Sequence, residues 1–416
     1  MSTTEQAFQF RSIALPALLP SLLFAIGEGA IIPVIPAIAS NLGASLAVAG
    51  FIAGMTMIGE LVGDIPSGWV VSRIGERRSM IYAAILSILA IVLCLLAPNN
   101  LLFGTGIFLL GLAAAVFALA RHAFMTTFVP AAFRARALST LGGTFRAGWF
   151  VGPFLGAGVI ALTGVSQSVF WIQGVCGVAI IILLFIIPDP TEKLAKPDAG
   201  ETFVREESVG LFATLVQFRS LLVRVGTGVT LVGALRASRT VVLPLWAVSL
   251  GLSESSTALI IGIGGALDFA LFYSSGQIMD RFGRLWSVVP SMVGMGICFV
   301  ILSFTHNLDG AVGWFIALTV FLGLSNGVGS GIIMTLGADL APKTDPAPFL
   351  GAFRFTGDLG TAAAPVLVAG VVAVASLPLA AAIMGVLGFA GAGILIRYIP
   401  RYLPHVGRVP RLVKNS

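Results

Sequence analysis

Ionisable side chains interrupt long apolar runs at a small set of positions: Glu28, Glu60, Asp64, Arg121, His122, Arg146, Arg236, Arg239, Asp268, Arg354 and Asp358. A charge at the centre of a hydrocarbon layer costs about 2.5–3.5 kcal/mol on insertion scales, so each such residue marks a proton relay, an ion pair or a solute contact. A carboxyl taken out of water holds its proton more tightly, which makes the five acids candidate proton carriers, in the order Glu28, Asp64, Asp358, Asp268, Glu60. Arg121, His122, Arg236 and Arg239 are candidates for a solute cavity. His122, beside Arg121, reads either as a relay or as a hydrogen-bonded packing group. The sequence has no Gly-x-x-x-x-Gly-Lys-Ser/Thr loop, no His-Glu-x-x-His and no cysteine pair, so neither ATP hydrolysis by a phosphate loop nor other catalysis is expected. No metal site and no cofactor are expected, and the energy source is a proton gradient or the solute's own gradient.

The elements that must position these groups follow from composition. Of the 416 residues 57% are hydrophobic and only 10% charged, with mean hydropathy +1.02; a soluble domain carries about 25% charged residues. Lipid is therefore the expected solvent, and a spanning helix needs about 20 mainly apolar residues. Twelve runs meet that need: 12–39, 46–71, 79–97, 102–129, 138–163 and 169–188, then 221–250, 255–279, 285–305, 311–341, 349–374 and 377–398. The first run is too long for a signal-peptide core and reads as a helix. The domain plan is a six-helix bundle over 1–188, a polar linker over 189–219, a second bundle over 220–398 and a basic tail over 399–416. Within the linker, Val209 to Phe218 has apolar residues at helical spacing and can lie along a membrane surface.

Net charge is +6 and pI about 9.6, but the cations are spread over alternate loops rather than gathered into a nucleic-acid patch. Arg73–Arg78, Arg134–Arg136, Lys193–Arg219, Arg281–Arg284, Lys343 and Arg397–Lys414 lie on one side, while the opposite loops hold no Lys or Arg. The positive-inside rule then places both termini in the cytoplasm of a multi-pass inner-membrane protein. Cys94, Cys176 and Cys298 sit within apolar runs and read as packing residues.

One loop motif occurs twice. Gly68-Trp-Val-Val-Ser72-Arg73-Ile-Gly75-Glu76-Arg77-Arg78 is echoed 208 residues later by Gly276-Gln-Ile-Met-Asp280-Arg281-Phe-Gly283-Arg284. The same offset relates Pro36 to Pro244 and Gly143-Thr-Phe145-Arg146 to Gly351-Ala-Phe353-Arg354. Parallel six-helix repeats fit carriers that rock one bundle against the other around a midplane site. On these residues the chain resembles the major facilitator superfamily over essentially its whole length, through the pattern Gly-x-x-x-Asp-Arg-x-Gly-Arg-Arg/Lys. The resemblance implies an all-α membrane protein, with 12 transmembrane helices in two pseudo-symmetric six-helix bundles, acting as a monomer. It also implies that the acidic residue of the motif caps a helix of the opposite bundle and helps hold the outward-facing side-closed state. Here Ser72 and Glu76 depart from the pattern, and Asp280 keeps it.

In the fifth run Gly148, Gly152, Pro153, Gly156 and Gly158 are spaced to let helix backbones approach closely. They resemble the Gly-Pro motif of the family's antiporters, mainly drug/proton exporters; the fourth-helix arginine motif of such exporters is not cleanly matched, since Arg121 lies further along. The register places Glu28 opposite Arg236 and Glu60 opposite Asp268. We therefore expect Glu28 to face Arg236 across the pseudo-twofold axis, and Asp64–Arg354 and Arg146–Asp268 to act as latches between bundles. Spans rich in Phe, Leu and Ile but poor in Asn, Gln and Tyr suit amphiphilic solutes better than sugars. The expected function is proton-coupled export of amphiphilic or drug-like molecules; the alternative is carriage of a specific metabolite, organic anion, lipid or siderophore, which the arginines favour.

Overall fold

The computed structural model describes residues 18–129, 131–187, 214–342 and 347–403. Most of the linker, the tail beyond Leu403 and Lys343 lie outside these residues, as does the first half of the linker segment expected to lie on the membrane surface.

With no water to satisfy backbone N–H and C=O groups, a chain in lipid must satisfy them within each segment, which leaves the helix as the only solution for such apolar runs. Among the described residues twelve helices result, long and apolar enough to cross a membrane. They are α1 (Leu19–Asn41), α2 (Leu46–Ile74), α3 (Glu76–Leu95), α4 (Asn100–Phe128), α5 (Ala131–Thr163) and α6 (Val169–Ile186). The second set is α7 (Arg219–Ser249), α8 (Glu254–Phe282), α9 (Leu285–Thr305), α10 (Ala311–Leu340), α11 (Ala347–Val374) and α12 (Leu377–Tyr402). No strand occurs among the described residues. Large apolar side chains such as Ile65, Leu162, Trp171, Phe185 and Val374 stay exposed on the outside, as expected of a surface that meets lipid. The protein is an all-α, multi-pass membrane protein.

The 208-residue register is written into the backbone. Ser45 caps α2 by accepting from Val48 N–H at 3.4 Å, and its counterpart Ser253 caps α8 by accepting from Ser256 N–H at 3.3 Å; such caps satisfy otherwise orphaned donors. Gly75 (φ 82°) and Gly283 (φ 97°) end the same two helices, in a conformation that costs other residues steric strain. The packing repeats too. A Cβ on Gly111 of α4 would come within 2.0 Å of Thr56 O on α2, and one on Gly264 of α8 within 3.1 Å of Thr319 O on α10. Those are equivalent contacts with the glycine on opposite partners.

The halves differ in two helices. α1 is tightened into a 3-10 turn at Ile32–Val34, where Pro33 and Pro36 follow one another. α10 is broken: one piece ends at Val328, Gly331 takes φ 79°, and a second piece runs Ile332–Leu340. The sequence reading took α10 as continuous. Its break frees carbonyls that serine hydroxyls then satisfy: Ser275 Oγ donates to Val328 O at 2.6 Å and to Ser330 O at 2.8 Å, and Ser287 Oγ donates to Val328 O at 2.7 Å.

The two bundles meet on the face away from the doubled loop. Here a Cβ on Gly54 of α2 would sit 2.0 Å from Pro365 Cβ of α11, Ser255 Oγ donates to Ala157 O at 3.2 Å, and Asn41 Nδ2 donates to Glu254 Oε1 at 3.4 Å. Towards the loop face, the side chains of Arg354 and Asp358 are 53% and 35% exposed between α2 and α11, and a Cβ on Gly142 or Gly276 would meet nothing within 4 Å.

Candidate functional site

Small residues bring α5 against α1. A Cβ on Gly148 would lie 2.5 Å from Ala25 Cβ, and one on Gly152 would lie 2.5 Å from Ile26 O. On the partner side Gly29 faces the Trp149 backbone at 3.0 Å. The fifth-helix glycines are thus the α1–α5 seam, with Gly156 continuing it against Ala30 and Pro153 inside the helix. The seam has a chemical consequence: it carries Trp149 to Glu28, whose Oε2 accepts from the indole Nε1–H at 3.1 Å.

Glu28 is buried to 1% exposure, and its Oε1 meets no N–H or hydroxyl donor. Glu60 of α2 lies within electrostatic range of the Glu28 carboxyl. Two ionised carboxylates have no hydrogen to share and repel one another. A proton held by either acid relieves that repulsion. Arg121 of α4 is the nearby cation, within electrostatic range of both carboxyls. It is buried, its guanidinium lies over the Phe145 ring at 4.3 Å, and its Nε and one terminal nitrogen have no hydrogen-bond partner. His122 is half-buried beside it.

The equivalent positions of the second half form a different site. Asp268 of α8 accepts from Arg146 at 3.1 Å, from Arg239 at 3.4 Å, from Asn326 Nδ2 at 2.8 Å and from Ser330 Oγ at 3.3 Å. Arg236 donates to the carbonyl of Gly329 at 2.5 Å, in the break of α10, and lies within electrostatic range of Asp268, Arg146 and Arg239. Gly329 is the register counterpart of Arg121. Where the first half places a guanidinium on a continuous helix, the second places a bare carbonyl in a broken one.

The expected pairs fare differently. Arg146–Asp268 joins α5 to α8 across the bundle interface as anticipated. Glu28 and Arg236 do not pair; each turns into its own bundle, the first towards Glu60 and Trp149, the second towards Gly329. Register equivalence relates positions in different bundles and does not bring them into contact. Arg354 forms its ion pair along its own helix, with Asp358 at 3.4 Å, while Asp64 sits within electrostatic range of both. Arg121, read from sequence as a cavity group, is instead enclosed with the glutamates of the first half.

In the doubled loop the two copies are anchored differently. Ser72 Oγ donates back to Trp69 O at 2.9 Å, so it bonds its own helix rather than capping the other bundle; Arg73 lies over the Trp69 ring at 4.9 Å. Arg77 donates to the carbonyls of Leu184 and Phe185 at the end of α6. In the second copy Arg284 is clamped by Asp339 at 2.7 Å and Asp280 at 3.4 Å, and the Asp339 hydrogen bond, then the charges of both acids, push its pKa further up. Asp280 itself stays exposed, its side chain 81% accessible, and Arg281 lies over the Phe282 ring.

Sequence and structure comparisons agree with this architecture. The family model for the Major Facilitator Superfamily matches residues 18–365 and again 226–413. The multidrug resistance protein MdtL of Escherichia coli O81 (strain ED1a) is 28% identical over 317 residues, 76% of this chain and 78% of that protein. Among solved structures, the inward-open conformation of the xylose transporter XylE from E. coli has a TM-score of 0.72 at 17% identity, covering 94% of this chain and 97% of that one. The nucleoside transporter NupG has a TM-score of 0.73 at 11% identity, covering 93% and 99%. The chain belongs to the major facilitator superfamily and is a membrane transporter rather than an enzyme.

Proposed function

We propose that this transporter exports amphiphilic, drug-like small molecules in exchange for protons, by rocking its two bundles about the midplane. The observation that carries the coupling is the Glu28–Glu60 pair, two acids within electrostatic range of one another, where one proton relieves their repulsion. Arg121 beside it stabilises the pair when that proton leaves, and Trp149 donates to Glu28 in either state. The seam of Gly148, Gly152 and Gly156 ties this proton site to α1 and α5, so a change in charge there bears on helices that pack against the second bundle. Similarity to MdtL supports drug-like substrates. The bundles meet at the face remote from the basic loops and leave exposed charges on the loop face, which fits a carrier open on the cytoplasmic side, with both termini cytoplasmic, in the inner membrane, working as a monomer. A second reading, carriage of a specific metabolite, organic anion, lipid or siderophore, is favoured by the arginines around Asp268.

The test is transport in proteoliposomes with an imposed pH gradient. Glu28→Gln and Glu60→Gln should each abolish gradient-driven accumulation while substrate counterflow continues. Accumulation that survives in both variants would remove the pair from the coupling mechanism.

A further inference from the structure

The second-half site holds more positive charge than its own groups balance. Arg146, Arg236 and Arg239 lie within electrostatic range of one another around a single carboxylate, Asp268. Two of these cations are reachable: the side chains of Arg146 and Arg239 remain 26% and 15% exposed, against 12% for Asp268. Arg236 is half-buried, with its Nε buried and unpartnered. At the midplane of a membrane an uncompensated guanidinium is costly, and such groups are balanced by a counter-charge or face an aqueous cavity. The first-half cluster does not supply that balance, since its acids lie around a cation of their own, Arg121.

An aromatic wall stands beside the cations. Phe150 of α5 stacks on Phe269 of α8 with centroids 6.0 Å apart, Phe154 packs edge-on against Phe150 at 5.5 Å, and the Arg146 guanidinium lies over Phe272 at 5.0 Å. Charge and wall together define a ligand by its chemistry. We propose that the site of Arg146, Arg239 and Arg236 binds the anionic head of an amphiphile, a carboxylate or sulfonate whose apolar body lies on the Phe150–Phe269 wall. This rests on the exporter reading and narrows it to amphiphilic anions. A planar guanidinium presents paired N–H donors that match a carboxylate or sulfonate. Arg146 is the one cation on Asp268 that comes from the opposite bundle, so an anion that draws it away also loosens the α5–α8 bridge.

Binding to the purified protein distinguishes the cases, using four ligands with one aromatic body: naphthoate, naphthalenesulfonate, neutral naphthamide and the naphthylmethyltrimethylammonium cation, with sulfate alone as the inorganic control. The two organic anions should bind roughly tenfold or more tighter than the amide, and the cation weakest. Arg239→Gln should remove that preference and leave amide binding unchanged, and Arg239→Lys should restore part of it. Equal affinity across the four ligands, or a cation that binds best, overturns the proposal. So does an Arg239→Gln effect of the same size on anion and amide, which marks a structural role, and so does sulfate binding as tightly as the organic anions. Proton release on binding is followed in parallel. Anion selectivity without proton release overturns the exporter reading and leaves this site standing; proton release without anion selectivity does the reverse.

Discussion

Glu28, Glu60 and Arg121 of the first half and Arg236, Asp268 and Gly329 of the second occupy the same positions of one repeated bundle, yet the clusters built on them do opposite chemistry. The first gathers two acids around one cation. The second gathers three cations around one acid that is fully hydrogen-bonded in ionised form. A duplicated scaffold has kept its caps and its turns while the charges at the centre diverged. The difference teaches that pseudo-symmetry conserves packing, which every helix needs, and leaves the buried charges free to specialise.

Removing the central acid of each cluster is the sharpest way to test that contrast. Asp268→Asn leaves three guanidiniums without their carboxylate, and breaking a buried ion pair from one side costs about 3–5 kcal/mol. The expected result is a large fall in the detergent melting temperature, checked by a thermal scan. The next effect is steric: Gly152→Ala puts a methyl 2.5 Å from Ile26 O, and overpacking of this kind costs about 1–3 kcal/mol. It should destabilise the protein and weaken gradient-driven transport by pulling Trp149 from Glu28, whereas Gly158→Ala, whose Cβ meets nothing within 4 Å, should do neither.

Glu28→Gln comes third. An amide can replace a protonated carboxyl, so stability should change by less than about 1 kcal/mol even as coupling is lost. A melting shift as large as that of Asp268→Asn would erase the difference between the clusters. The smallest effect belongs to Ser72→Asp, which restores an acid to the first loop copy. An added charge at a helix terminus is worth about 0.3–1 kcal/mol, enough to move the population of the loop-face-closed state by a few-fold. Spin-label distances between α2 and α11 should register it; an unchanged distance distribution would show that Ser72 has no part in the latch.

The fold was readable because lipid leaves so few choices. Apolar runs had to be helices, and the predicted limits fall within a few residues of the observed ones except where α5 starts at Ala131, while the expected start of α1 lies outside the described residues. Capping by Ser45 and Ser253 and the turns at Gly75 and Gly283 follow from residue type at a fixed offset. The partners of the charges were less legible. The register identified Glu28 with Arg236, but contact is decided by which helix each side chain faces within its own bundle, and that depends on the α1–α5 seam. The glycines of that seam were visible, while the tryptophan between them went unread. The break in α10 also left a signal that was passed over, the run Asn326-Gly327-Val328-Gly329-Ser330-Gly331, because high hydropathy hides a lost helical turn. Of the two expected latches, Arg146–Asp268 formed because α5 and α8 stay together at that level, while Arg354, 53% exposed, turned to Asp358 on its own helix.

The central claim is that the proton resides in the first half while the second half stays ionised. Infrared spectroscopy of the purified protein at neutral pH tests it directly, through the carbonyl stretch that only a protonated carboxyl gives. The account predicts a buried carboxylic-acid band that disappears in Glu28→Gln and in Glu60→Gln and persists in Asp268→Asn. A band that survives both glutamine variants and vanishes in Asp268→Asn would place the proton in the other bundle and contradict the account.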